Sequence, residues 1–395
     1  MRAAAAWRDV RPAPDPSRWQ QEPFRIFFPL GVLLAWVGVG HWLLYTLGVT
    51  ATYSCLGHGF VQLEGFLMAF AAGFLLTAIP RRTQSPPPGR ATLWLVGLAL
   101  IADTVGAAAE RWAAGQIAYL VALAALLGFA GRRFLGAMAG RRPPPSFVLI
   151  PLGVAAGVGG AALVLAWTAL GAPGWTLGLG RLFVEQGVFL CLVVGVGGLL
   201  LPLMGGAPPP GDLGAAPGTV RAAGGYAALG VVILGSLVAE QAGAVRAAPL
   251  VRAAAVAAGL VAAGAAAPPR APGLNRRVAW AAVWLVPAGL AAAGLWPDLR
   301  VAALHVTFIG GFALLAFAVA THVALGHLGL EAVRDRRPVV VILVAASFGL
   351  ATLARVAADA SGAYFVHLGW AAGLWLMGSA AWLLVLGPKL LRRST

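Results

Sequence analysis

Twelve apolar runs divide the chain, at approximately 24–47, 56–80, 92–110, 114–131, 147–171, 182–204, 222–243, 249–267, 278–296, 300–325, 338–358 and 362–388. Each is close to the ~20 residues that carry an α-helix across the hydrocarbon core of a bilayer. A segment in lipid must satisfy its own backbone N–H and C=O groups, so each run is predicted to be helical. The pattern predicts an all-α, polytopic integral membrane protein of about 12 transmembrane helices, filling 24–390 between polar tails at 1–23 and 391–395. The eighth run is the weakest, being mostly Ala with Arg252 near its start. The first 23 residues read as a retained tail, because Arg8, Asp9, Arg11 and Asp15 break up the stretch after AAAA, where a signal peptide would need a longer apolar run.

Composition supports the pattern. Of 395 residues 60% are hydrophobic and 10% charged, against roughly 25% charged in soluble domains. The formal charge is +15, yet the basic residues sit in short clusters between the runs. That is how topology signals look, and it argues for a bilayer and against nucleic acid as the partner. Taken loop by loop, 22 of the 28 Lys and Arg fall on one side and five on the other, with Arg355 inside a run. The bias places both termini of the multi-pass protein in the cytoplasm. The connectors SPPPGR, RRPPPS, APPPGD and APPRAPG lie on that same side and read as stiff helix stops. No repeat is evident among the helices. Cys55 and Cys191 fall at different depths and read as unpaired. With His58, Cys55 makes CxxH, which lacks the second cysteine of a c-type haem attachment site.

This topology gives the ionisable residues a depth. His58 falls at the outer end of the second run, and Glu64 lies about 9 Å deeper at 1.5 Å per residue. His41, Glu185, Gln186, Glu240, Gln241, His305, Arg355, Asp359 and His367 all fall in the outer half, and Asp103 nearer the middle. Such groups are costly in a membrane and face an interior site, so they predict an outward-facing polar cavity. Histidines at one depth beside an arginine suit haem, whose iron takes neutral imidazole and whose propionates pair with guanidinium. Copper held by several imidazoles is the other metal reading. His322 and His327 lie near the basic inner loop and read as solvated. His322 is also about 25 Å along the helix from His305, too far to share its metal.

Four segments carry a family resemblance: FRIFFPLG (24–31), HGFVQLEGFLMAFAAGFLLTAIPR (58–81), RLFVEQGVFLCLVVGVGGLLLP (181–202) and RVAALHVTFIGGFALLAFAVATHVALGHLG (300–329). They resemble the NnrS family, bacterial inner-membrane proteins described as haem- and copper-containing and linked to nitric oxide. Histidines of the family pattern carry over as His58, His305 and His327. Where many members read HxHE, this chain has Phe60 and Val61 after His58 and Gly59, which argues against copper there. The family's arginine before the last LGH is His322 here. In architecture the chain is also similar to haem–copper oxidases and nitric oxide reductases, which place haem-ligating histidines near the outer ends of the second and tenth spans.

The resemblance implies a membrane protein carrying haem b, acting on nitric oxide or against nitrosative stress, as an oxidoreductase if it is an enzyme. His58 and His305 would be axial ligands, with His41 and His367 as further candidates. Arg355 and Arg300 would hold propionates. Glu64, Glu185 and Glu240 would deliver protons, and a quinol or another donor would supply electrons. The alternative is a twelve-span secondary transporter whose polar cavity binds a solute.

Overall fold

The computed structural model describes residues 17–135 and 141–391. Most of the two expected tails, with Arg2, Arg8, Arg11, Arg392 and Arg393, lies outside the described residues. In chain order the twelve principal helices are α1 (Phe24–Thr46), α2 (Cys55–Thr83), α3 (Arg90–Ala108), α4 (Trp112–Phe134), α5 (Pro145–Leu170), α6 (Gly174–Gly205), α7 (Pro217–Gln241), α8 (Ala247–Ala262), α9 (Leu274–Leu295), α10 (Pro297–His327), α11 (Val339–Ala360) and α12 (Tyr364–Leu391). There is no β-strand among the described residues. Eleven of the helices are long and apolar enough to cross a membrane. The exception is α8, with 16 residues, which is the run that carries Arg252.

Helix ends reflect local chemistry. Ser54 caps α2 by accepting from the Gly57 N–H at 3.1 Å, and α5 and α6 end on Gly171 and Gly206 in the left-handed conformation that glycine adopts without strain. The proline connectors are held by side-chain donors, since their carbonyls lack helical partners. Arg133 donates to the Pro86 carbonyl at 2.8 Å while its guanidinium lies over the Phe129 ring. Arg82 binds Asp212, and Gln20 donates to the Pro88 carbonyl at 3.2 Å.

Consecutive helices pack as neighbours, and α12 packs against α1, closing the bundle. Three helices sit inside it. The most apolar stretches of α2, α6 and α10 are 83%, 67% and 61% buried, against 50% or less in every other long helix. They recur every fourth helix, and each contains a π-helical stretch: Val61–Leu67, Phe183–Gly187 and Val306–Ala313. A π turn carries an extra residue and re-aims the side chains around it. No repeat is evident in the sequence of the helices beyond the Phe-Val of 60–61 and 183–184, but burial and the π-helical stretches recur at every fourth helix.

Aromatic rings join the inner helices: Phe66 and Phe70 meet Phe317 at 5.9 and 5.3 Å between centroids, and Phe189 meets Phe312 at 5.9 Å. Small residues let backbones approach where packing drives association in lipid. At Gly289 on α9 an added Cβ would lie 2.6 Å from the Thr307 backbone N and 2.7 Å from the Ala303 carbonyl. This crossing lies just past His305, with Thr307 Oγ1 donating to the Val286 carbonyl at 3.0 Å.

One end of the bundle is tied by charge. Glu22, just before α1, pairs with Arg25 and with Arg81 at the end of α2, and receives His327 Nδ1–H from the end of α10 at 2.8 Å. Arg81 donates to His327 Nε2 at 2.8 Å, which fixes that tautomer because a guanidinium only donates. Arg25 also donates to the Leu390 carbonyl of α12 at 3.0 Å. His327 is thus a partly buried bridge, not the solvated residue its position near the loop suggested. His322 is likewise not simply solvated, since its Nδ1 is buried without a partner.

Candidate functional site

At the opposite end, the starts of α2, α10 and α12, the end of α11 and the π-helical part of α6 enclose a cavity of about 380 Å³, a usual size for a small-molecule site. His58, Gln62, Arg181, Glu185, Arg300, His305, Arg355 and Tyr364 are the polar side chains on its wall, with Leu63, Phe66, Leu304, Phe308 and Trp375 among the apolar ones. The structure thus gathers five of the nine expected site residues into one lining: His58, His305, Glu185, Arg300 and Arg355.

The two histidines are held alike. His58 Nδ1 is 2.8 Å from the Gly38 carbonyl of α1, and His305 Nδ1 is 2.7 Å from the Val301 carbonyl one turn back. A carbonyl oxygen only accepts, so Nδ1 carries the proton in both rings and Nε2 keeps its lone pair. That tautomer and second hydrogen bond are those of a histidine that ligates a metal through Nε2. The Gly38 contact depends on close approach: an added Cβ there would lie 2.8 Å from Val61 Cγ1. Beside it, Gln62 Nε2 donates to the Ala35 carbonyl at 2.9 Å, so α1 carbonyls hold two cavity residues of α2.

The charges at the wall form three ion-paired groups. Arg181 donates to Glu185 Oε1 at 2.9 Å. Arg355, 3% exposed, donates to Asp359 Oδ1 at 3.1 Å and lies 3.5 Å from the Tyr364 hydroxyl. Arg300 binds Glu240 through Nε at 2.8 Å, and fully buried Arg252 binds the other Glu240 oxygen at 2.6 Å. On the lining itself Arg181, Arg300 and Arg355 stand with one carboxylate, Glu185, which favours an anionic group in the cavity.

The other expected residues are elsewhere. His41 stands behind His58, ring centroids 6.0 Å apart, with Nε2 buried and unpartnered, and is off the lining. His367 is at the exposed start of α12, 3.0 Å from Ser361 Oγ. Glu240 lies between two guanidinium groups, outside the lining. Glu64 is fully buried behind the wall and accepts from Gln116 of α4. Glu185 does not open its helix as expected: α6 starts at Gly174, so Glu185 sits three turns in, because GWTLGLG offers no strong breaker. Gln116 and the Arg252–Glu240 pair were missed, the latter despite the one clear signal of an arginine in an alanine-rich run.

Among the described residues no three His, Cys, Asp or Glu side chains cluster as a metal-ligand set. The cavity therefore offers two imidazoles on separate helices and, among the described residues, no compact all-protein metal cage. Cys55 is exposed and Cys191 buried, both unpaired. No curated protein matches this chain. The family model described as NnrS protein matches residues 18–394, nearly the whole chain, and the protein belongs to the NnrS family.

Proposed function

We propose that this protein is a multi-pass membrane haem protein acting in the response to nitric oxide, a role that family membership itself suggests. The observation that carries the haem reading is the pair of histidines on one cavity wall, each with Nδ1–H given to a carbonyl and Nε2 left with its lone pair. The residues present fit the group: two imidazoles of the right tautomer, an apolar sleeve of Leu63, Phe66 and Phe308, and an arginine excess for propionates. His58 and His305 would hold it through Nε2, and Arg355 and Arg300 would meet its carboxylates. A bound haem would supply an iron that binds nitric oxide and exchanges electrons.

The chain's own residues would then do the rest. Arg355 and Arg300, each fixed by its carboxylate partner, orient anionic groups. Phe66, Phe308 and Trp375 exclude water from the inner side of the cavity. Glu185, on the wall, and Glu64, behind it, would handle protons. Reduction of two nitric oxide molecules to nitrous oxide and water consumes two electrons and two protons, the electrons coming from a quinol-class donor. The cation bias of the loops supports an outward-facing cavity, and family membership a bacterial inner membrane. The grouping of helices in fours around α2, α6 and α10 favours this reading over a transporter built as two matched halves.

The test is an absorption spectrum of the purified, detergent-solubilised protein, oxidised and reduced, with metal analysis of the same sample. One haem per chain and a Soret band that moves on adding nitric oxide are expected, with the band lost or shifted in His305→Ala. A featureless spectrum from protein made with ample haem supply would sink the reading.

A further inference from the structure

Behind the cavity wall, α2, α3 and α4 enclose a polar cluster of which the haem reading uses only Glu64. Glu64, Asp103, Thr104, Gln116 and Tyr119 are all at most 2% exposed. Gln116 Nε2 donates to both Glu64 oxygens, at 2.9 and 2.8 Å. The Asp103 carboxyl stands beside that of Glu64. Five polar atoms here lack a partner: both Asp103 oxygens, Thr104 Oγ1, Gln116 Oε1 and the Tyr119 hydroxyl. Among the described residues no Arg, Lys or His pairs with either carboxyl group.

Two adjacent carboxylates away from water cannot both stay ionised without a cation. One proton between them turns one group into an O–H donor to the other. The remaining accounts match water: Asp103 and Gln116 Oε1 need donors, Thr104 and Tyr119 have hydroxyls to give, and an internal water typically makes two to four hydrogen bonds to such atoms.

We propose that Glu64 and Asp103 share one proton and, with Thr104, Gln116 and Tyr119 around at least one internal water, form a proton-holding site behind the cavity. Glu185 connects it to the cavity. Its carboxylate lies against Gly59 of α2, where an added Cβ would be 2.9 Å from Oε1, and it acts electrostatically on Glu64. A proton taken up is held as a carboxyl O–H and returned toward Glu185, with no other bond changed. Only the use of that proton rests on the haem reading; the site itself does not.

Infrared spectroscopy of the full-length solubilised protein at neutral pH tests it. A carboxylic-acid C=O stretch is expected in the wild type and should be lost or shifted in E64Q and in D103N. Y119F keeps both carboxyl groups and should shift the band without removing it, so the test stands if one carboxyl variant fails to fold. Absence of the band, or a band indifferent to both carboxyl variants, overturns the proposal. So does a sodium-dependent rise in melting temperature that D103N abolishes, which would assign the same oxygens to a monovalent cation. The band is read equally in haem-free protein, so failure of the haem reading is separately visible.

Discussion

Replacing Glu240 by Gln isolates the energetics of the cavity wall. Glu240 is 4% exposed at its side chain and bridges Arg300, 30% exposed, and Arg252, fully buried. The amide keeps the shape and removes the charge. Arg300 can turn into the wet cavity, so its loss is that of a solvated pair, about 0–1 kcal/mol. Arg252 has no such escape. It keeps the Ser236 hydroxyl at 3.3 Å and at most one neutral amide oxygen, with no counter-charge, and stranding a buried charge costs about 3–5 kcal/mol. The whole effect is therefore expected near that range, read as lost stability in equilibrium denaturant unfolding of the solubilised protein. Arg252→Met, added to Glu240→Gln, removes the stranded charge and keeps an apolar stem, so the double variant should regain most of the loss. The two changes are strongly non-additive by this account. A single variant within about 1 kcal/mol of wild type, or a double variant no better than the single, would refute the reasoning, because either means that Arg252 does not depend on Glu240.

Three further outcomes are expected. Gly289→Ala should destabilise by about 1–3 kcal/mol in the same assay, because the new methyl meets backbone of α10 that cannot move aside; Ala292→Gly, on the same helix, is the comparison. The Glu22 carboxyl is pushed up by its burial but, more strongly in sum, pulled down by the Arg25 hydrogen bond and charge and by His327, so it sits below its ordinary 4.5. A lowered acid stabilises the fold above its unfolded value and loses that stabilisation as pH falls through the folded value, so melting temperature should drop on acidification below about 4.5, and less steeply in Glu22→Gln. If the proposed haem is bound, Arg355→Gln should lower the amount retained per chain after detergent washing while helicity by circular dichroism is unchanged.

Much of the fold was legible because hydrophobic length is a direct physical demand of the bilayer. The first run, expected at 24–47, is Phe24–Thr46, and the eighth, expected to be weakest, is the short helix. Depth was legible too, since counting residues along a helix is counting ångströms, and it brought His58 and His305 to one cavity. Lateral position was not. Glu64 and His58 share a helix, yet one lies behind the wall and the other on it: six residues apart they stand about 120° around even a regular helix, and depth alone does not say which face meets the cavity. Ion pairing was equally hidden: Arg252 and Glu240 are 12 positions apart on separate helices, and only packing shows that they meet.

The cavity is built from both ends of the chain, and this has a consequence for biosynthesis. His58 leaves the ribosome early, whereas Arg355 and Tyr364, which complete the wall, come from the last two helices, and α12 must also find α1. Chains fold progressively during synthesis, N-terminal parts first. Here that order cannot finish the site: until the final hairpin is inserted, the pocket stands open to lipid along one flank. The cavity is thus walled on all sides only after translation ends, and a truncation that removes only α12 should leave an unclosed bundle.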